Sequence, residues 1–215
     1  MNNTFEIRVC LNSECGLRYP LTANHPFGTR CPHCLGETQA VLKHETSEQE
    51  KAEVSKVSTK EEKMIAVLVD NIRSAWNVGS ILRTADGFGF THAYLCGISP
   101  TPENEAVTKT SLGAEDFVTW SYHKDAVKLT KGLKKAGWKV LALEEHERAQ
   151  SIANRTEVLE SNTVLIIGNE VTGVDPELLD LADEIYIIPM RGQKRSFNVA
   201  NAFSIAAYAL VENTL

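Results

Sequence analysis

From Met64 onward, short apolar runs alternate with longer stretches that mix apolar and polar positions. Runs such as MIAVLV and TVLIIG have strand length. The pattern predicts strands at 65–69, 93–96, 117–120, 140–143, 163–167 and 185–188, and helices over 78–88, 102–112, 125–136, 176–181 and 197–211. Strands alternating with helices imply an α/β fold, a mostly parallel sheet with helices on both faces. In such folds ligands gather beyond the carboxyl ends of the strands.

Upstream the pattern changes. Residues 1–44 show little apolar periodicity, several turn residues, and four of the five Cys. HETSEQEKAEVSKVSTKEEK follows, without aromatics and rich in Glu, Lys, Ser and Thr. Such a segment buries too little apolar surface to offset the entropy of ordering it. The chain therefore reads as a Cys module (1–44), a charged linker (45–63) and an α/β domain (64–215).

Composition is ordinary for a soluble protein of 215 residues, and no apolar run approaches the roughly 20 residues of a membrane span. MNNTFEIRVC lacks the basic start, apolar centre and cleavage site of a secretory signal, so a cytoplasmic location is expected. Thiols stay reduced there, and clustered Cys point to metal rather than disulfides. The formal charge of −6 argues against nonspecific polyanion binding over the whole surface but leaves room for local basic patches. One candidate is Arg191, Lys194 and Arg195; another, Lys124, Lys128, Lys131, Lys134 and Lys135, reads as the solvated face of a helix.

Cys10 and Cys15, in CLNSEC, and Cys31 and Cys34, in CPHC, form two pairs able to close a tetrahedral thiolate site. Structural zinc is the expected ion, since small modules often rely on metal in place of a core. Four Cys fill the coordination number, leaving His25 and His33 as surface residues. Cys96, alone in an apolar run, reads as a core residue.

Several common motifs fail. GFGF lacks the third Gly of a dinucleotide fingerprint and follows a helix; no Walker loop occurs; EEHE lacks zinc-protease spacing and reads as an exposed turn. Three polar clusters remain, each after an apolar strand. DNIRSAWNVGSILRTA carries Asn77 and Arg83, with Asn77 as a candidate helix cap. LIIGNEVTGV carries Gly168, Asn169 and Glu170, and IPMRGQKRSFNVANA carries Ser196 as a candidate cap with Asn198 in the first turn. Each alone is explicable as capping and turn chemistry.

Together, NVGSILRTA, LIIGNEVTGV and IPMRGQKRSFNVANA resemble the three signature motifs of the SpoU/TrmH-type RNA ribose methyltransferases of the SPOUT superfamily, over essentially 64–215. Phe197 stands where the family usually has Leu, and Ala200 where Ser is frequent. The resemblance implies S-adenosylmethionine as methyl donor, tRNA or rRNA as substrate, a homodimer and a C-terminal trefoil knot, which general topological rules would not predict. It implies catalytic roles for Asn77, Arg83, Glu170, Ser196 and Asn198, with Ser196 equally readable as a cap only. It implies donor contacts at Gly168, Asn169, Glu170, Ile188, Met190, Gly192 and Phe197. Arg191, Lys194 and Arg195 then form either a basic lip for RNA phosphates or a merely solvated turn. The Cys module reads as an RNA-recognition appendage using Arg8, Arg18, Tyr19 and Arg30, or as a structural or dimer brace. A catalytically inactive RNA-binding protein and a base methyltransferase of the same superfamily are the alternatives.

Overall fold

A computed structural model describes residues 3–22, 25, 28–46 and 63–212. Residues 47–62, nearly all of the expected linker, lie outside the described residues. The chain divides into two compact units, one within 1–59 and one within 60–215.

The first unit is a three-stranded antiparallel sheet in the order β2-β1-β3: β1 (Asn3–Cys10), β2 (Arg18–Thr22) and β3 (Thr38–Thr46). Sequence reading assigns no strands there, because the apolar periodicity is faint. What sets the sheet is local bonding as much as burial. The Cys10 amide donates to the Leu17 carbonyl at 2.8 Å, the Leu11 amide to the Glu37 carbonyl at 2.9 Å, and a bulge interrupts β1 between Ile7 and Arg8. Arg8 is only 9% exposed, and its side chain donates to Thr38 Oγ1 (2.8 Å) and the Thr38 carbonyl (3.0 Å), with Glu6 as ion-pair partner. It is thus committed within the sheet, against the expectation that it contacts RNA.

The second unit is a seven-stranded sheet in the order β6-β5-β4-β9-β7-β10-β8, with every pairing parallel. Its strands are β4 (Ile65–Asp70), β5 (His92–Cys96), β6 (Thr119–His123), β7 (Lys139–Leu143), β8 (Gln150–Ser151), β9 (Thr163–Ile167) and β10 (Glu184–Ile187). The two-residue β8 gave no sequence signal. The helices are α1 (Ala75–Gly87), α2 (Glu105–Ser111), α3 (Ala126–Lys135), α4 (Pro176–Leu181) and α5 (Val199–Glu212).

Alternation along β4 feeds two cores: Val67 and Val69 pack with α1, α2 and α5, while Ala66 and Leu68 pack with α3 and α4. Both faces are therefore covered, as the sequence pattern predicts. Phe203 on α5 is fully buried and meets Phe90 edge-on, with ring centroids 5.2 Å apart. Cys96 is fully buried, and burial, with the charges of Asp70 and Asp125, pushes its thiol up to about 12.

Element boundaries differ from the sequence reading where side chains or turns intervene. α1 begins at Ala75 because Ser74, not Asn77, caps it, its side chain accepting from the Asn77 amide at 3.4 Å. α2 is shortened at its start by an Asn104 cap. Phe117 closes a 3-10 turn, its amide donating to Ala114, so β6 starts two residues later than expected. The Lys-rich face of α3 is partly tied down: Lys134 donates to Asp183 and the Leu181 carbonyl, and Lys131 pairs with Glu177.

Candidate functional site

Because β4, β9, β7 and β10 are neighbours and parallel, the loops leaving their carboxyl ends share one edge of the sheet. A cavity of about 320 Å³ opens there, within the range typical of small-molecule sites. Its walls come from the end of β7 (Leu143, Glu144, Glu145), the loop after β9 (Gly168 to Val171, and Gly173) and the β10–α5 stretch (Ile188, Met190, Arg195 to Val199).

The loop after β9 is held in a tight shape. Asn169 and Gly173 exchange two backbone hydrogen bonds of 3.0 Å, and Asn169 Oδ1 accepts from the amides of Val171 and Thr172. Gly173 has φ +72°, and a Cβ at Gly168 would lie 2.2 Å from the Val174 nitrogen, so glycine is required at both ends of the turn. Asn169 Nδ2 donates to the Asn71 carbonyl at 2.5 Å, which ties this loop to the one after β4.

Glu170 extends the tie. The Arg73 and Ser74 amides donate to its two oxygens at 3.1 Å each, and Asn77 Nδ2 donates to Oε1 at 2.9 Å. Partial burial raises its carboxyl pKa, but the amides of Arg73, Glu170 and Ser74 and the Asn77 side chain outweigh that and hold it below its ordinary 4.5. Asn77 Oδ1 in turn accepts from Asn198 Nδ2 at 3.1 Å. Asn198 Oδ1 accepts from the Ala200 amide at 3.0 Å, so Asn198, rather than Ser196, starts α5. Ser196 is exposed and faces the cavity. One polar residue from each of the three sequence clusters thus joins a connected chain, Glu170–Asn77–Asn198, whose two end members line the cavity.

Of the expected donor contacts, Gly168, Asn169, Glu170, Ile188, Met190 and Phe197 line the cavity; Gly192 does not. Asn77 and Arg83 are also outside its walls. Arg83 is exposed on α1, six residues past Asn77, which places it roughly 9 Å further along the axis and on a different side of the helix. Among the described residues, no hydrogen bond or ion pair joins Arg83 to Asn77, Glu170, Ser196 or Asn198. Arg191 and Lys194 are exposed beside the cavity-lining Arg195. Glu144, expected in an exposed turn, instead lines the cavity, and its Oε2 accepts from the Val174 amide at 2.9 Å. The signal available was its place immediately after a buried strand end in a parallel sheet.

In the first unit the Sγ atoms of Cys10, Cys15, Cys31 and Cys34 lie within 4.8 Å of one another. Cys10 and Cys34 are separated by 3.4 Å and Cys15 and Cys31 by 3.8 Å, too far for disulfides. Metal–sulfur bonds of about 2.3 Å in a tetrahedron require sulfur separations near 3.8 Å, so the cluster can hold a metal ion. Desolvation pushes Cys10 up to about 12, whereas the Gly36 amide and the Cys10 contact bring Cys34 down to about 7. His33 is exposed, its Nδ1 3.5 Å from Cys15 Sγ. Tyr19 donates to the Arg30 carbonyl and Arg30 to the Leu35 carbonyl, while Arg18 is exposed.

Among the described residues, no helix is long and apolar enough to cross a membrane. The model of the SpoU rRNA Methylase family matches residues 64–208. The tRNA (guanosine(18)-2'-O)-methyltransferase of Aquifex aeolicus is 28% identical over 170 residues, which are 78% of each chain. The 23S rRNA (guanosine(2553)-2'-O)-methyltransferase RlmP of Bacillus subtilis is 31% identical over 145 residues, 67% of this chain and 56% of that one. The AdoMet-bound rRNA methyltransferase from Sinorhizobium meliloti shares the fold, with a TM-score of 0.67 and 24% identity over 72% of this chain and 58% of the other.

Proposed function

Because the chain belongs to the SpoU rRNA methylase family, we propose that its second unit transfers a methyl group from S-adenosylmethionine to a ribose 2'-hydroxyl of tRNA or rRNA. The observation that carries this reading is the Glu170–Asn77–Asn198 chain at the rim of a cavity floored by glycine turns. The cavity suits the donor: its size is adequate, the glycines let main chain approach a ligand closely, and three Glu against one Arg favour a cationic molecule.

When bound, S-adenosylmethionine supplies an electrophilic sulfonium methyl. Main-chain groups at Gly168, Asn169, Ile188, Met190 and Phe197 hold it, with Gly192 letting the chain turn. Asn198 and Ser196 stand where they can meet a ribose, and Glu170 fixes Asn77 and through it Asn198. Arg83 holds the neighbouring phosphate and the developing alkoxide through its guanidinium N–H donors. Since Arg83 is off the cavity wall and bonded to none of this group, the reading includes a homodimer in which Arg83 comes from the partner subunit, together with the C-terminal trefoil knot and a cytoplasmic setting. Arg191, Lys194 and Arg195 then serve as a basic lip for RNA phosphates. The four Cys hold structural zinc, and the expected division into 1–44, 45–63 and 64–215 stands except that the first module extends to Thr46, where β3 ends.

The test is methyl transfer from labelled donor to unmodified tRNA and rRNA, followed by digestion to nucleosides. Label on ribose 2'-oxygen is expected. Label on a base, or none on either RNA with donor bound, removes the proposal.

A further inference from the structure

Glu144, Glu145, Glu170 and Arg195 are the charged side chains walling the cavity. Glu170 is engaged by the loop after β4. Glu144 is placed differently. It follows the end of β7 and packs against the Gly168–Gly173 turn, where a Cβ on Gly173 would lie 2.5 Å from its Oε2. Its Oε2 accepts from the Val174 amide and its Oε1 from the Glu145 amide, both at 2.9 Å. Each oxygen keeps accepting capacity. Among the described residues, no Lys or Arg lies within ion-pair distance of it. The result is a carboxylate fixed in position on a cavity wall, hydrogen-bonded but without a countercharge.

We propose that Glu144 is a specificity residue of the donor site, its charge favouring the sulfonium-bearing donor over the thioether product. This rests on the reading of the cavity as the S-adenosylmethionine site. Methyl transfer turns a sulfonium into a neutral thioether and leaves the adenosine and amino-acid ends unchanged. Interactions with those ends contribute alike to both molecules, so only a group that responds to the lost positive charge separates them. A fixed anion on the wall does so, and it also eases departure of spent product.

Glu144→Gln keeps a carbonyl oxygen to accept the Val174 amide while removing the charge and the acceptor of the Glu145 amide. Calorimetric Kd values on the full-length protein, for S-adenosylmethionine and S-adenosylhomocysteine, provide the readout. A single charge pair at the edge of solvent predicts donor binding weakened roughly three- to tenfold, with product binding within about twofold of wild type. In the unmutated protein, raising the salt concentration is expected to narrow the preference for donor over product. Equal weakening of both ligands in Glu144→Gln, no weakening of either, or a preference in the unmutated protein that ignores salt overturns the assignment. If the unmutated protein binds neither molecule, the donor-site reading itself fails, a result distinct from the others.

Discussion

Among the described residues of the first unit, burial reaches only Arg8, Cys10 and Cys31, whereas the second unit seals Leu68, Ile72, Ile81, Leu82, Leu165 and Phe203 completely from solvent. The contrast shows two ways for one chain to fix a fold. A core of large aliphatic and aromatic side chains, each contributing about 1.5–3 kcal/mol on burial, holds the sheet and helices. Three short strands bury too little for that, and four convergent sulfurs offer a metal site in place of a core.

The contrast is broken most severely by a chelator. On the proposal that the four Cys hold structural zinc, which contributes on the order of 10–16 kcal/mol in small modules, stripping the metal is expected to unfold the first unit and leave the second intact. Thiol titration with an aromatic disulfide reagent checks this: Cys10, Cys15, Cys31 and Cys34 become reactive, while Cys96, buried with its thiol pushed up to about 12, stays silent until the second unit melts. A core substitution gives the converse. Phe203→Ala is expected to cost the second unit about 3–5 kcal/mol, read as a lowered midpoint in denaturant, with zinc content unchanged.

Smaller effects sharpen the comparison within the second unit. Glu170→Gln weakens charge-assisted bonds from Arg73, Ser74 and Asn77, each worth about 1.5–3 kcal/mol. Methyl transfer is expected to fall roughly 10- to 100-fold, with donor Kd changed far less; a Kd loss as large as the rate loss would mean that Glu170 serves binding instead. The mildest perturbation is pH. A carboxyl held below 4.5 in the folded state contributes stability that is present above 4.5 and lost as pH falls through its lowered value. The Asn77 side-chain amide resonance should therefore stay in place as pH falls past 4.5 and shift only at more acid values.

What was legible in the sequence follows the same division. Strands β4, β7 and β9 were visible because near-continuous apolar runs have few other uses in a chain of this kind. Asn77, Glu170 and Asn198 were visible because polar residues clustered directly after such runs. The first unit's strands were not, since exposed positions such as Val41 and Leu42 and buried Arg8 blur any alternation. The two caps escape the sequence for one reason: Ser74 and Asn198 each sit close to another residue able to cap, and only backbone geometry decides between them. Glu144 gives no local sign of its role because its partner, the Val174 amide, is 30 residues away.

Asn198 donates to Asn77 across 121 residues of chain. During synthesis, the rim of the cavity stays unfinished until the ribosome has released the start of α5, by which time every strand of the sheet has already emerged. Ligand capture by this cavity is therefore a report on the whole second unit, and a drop in it under heat or mutation measures lost folding as faithfully as lost chemistry.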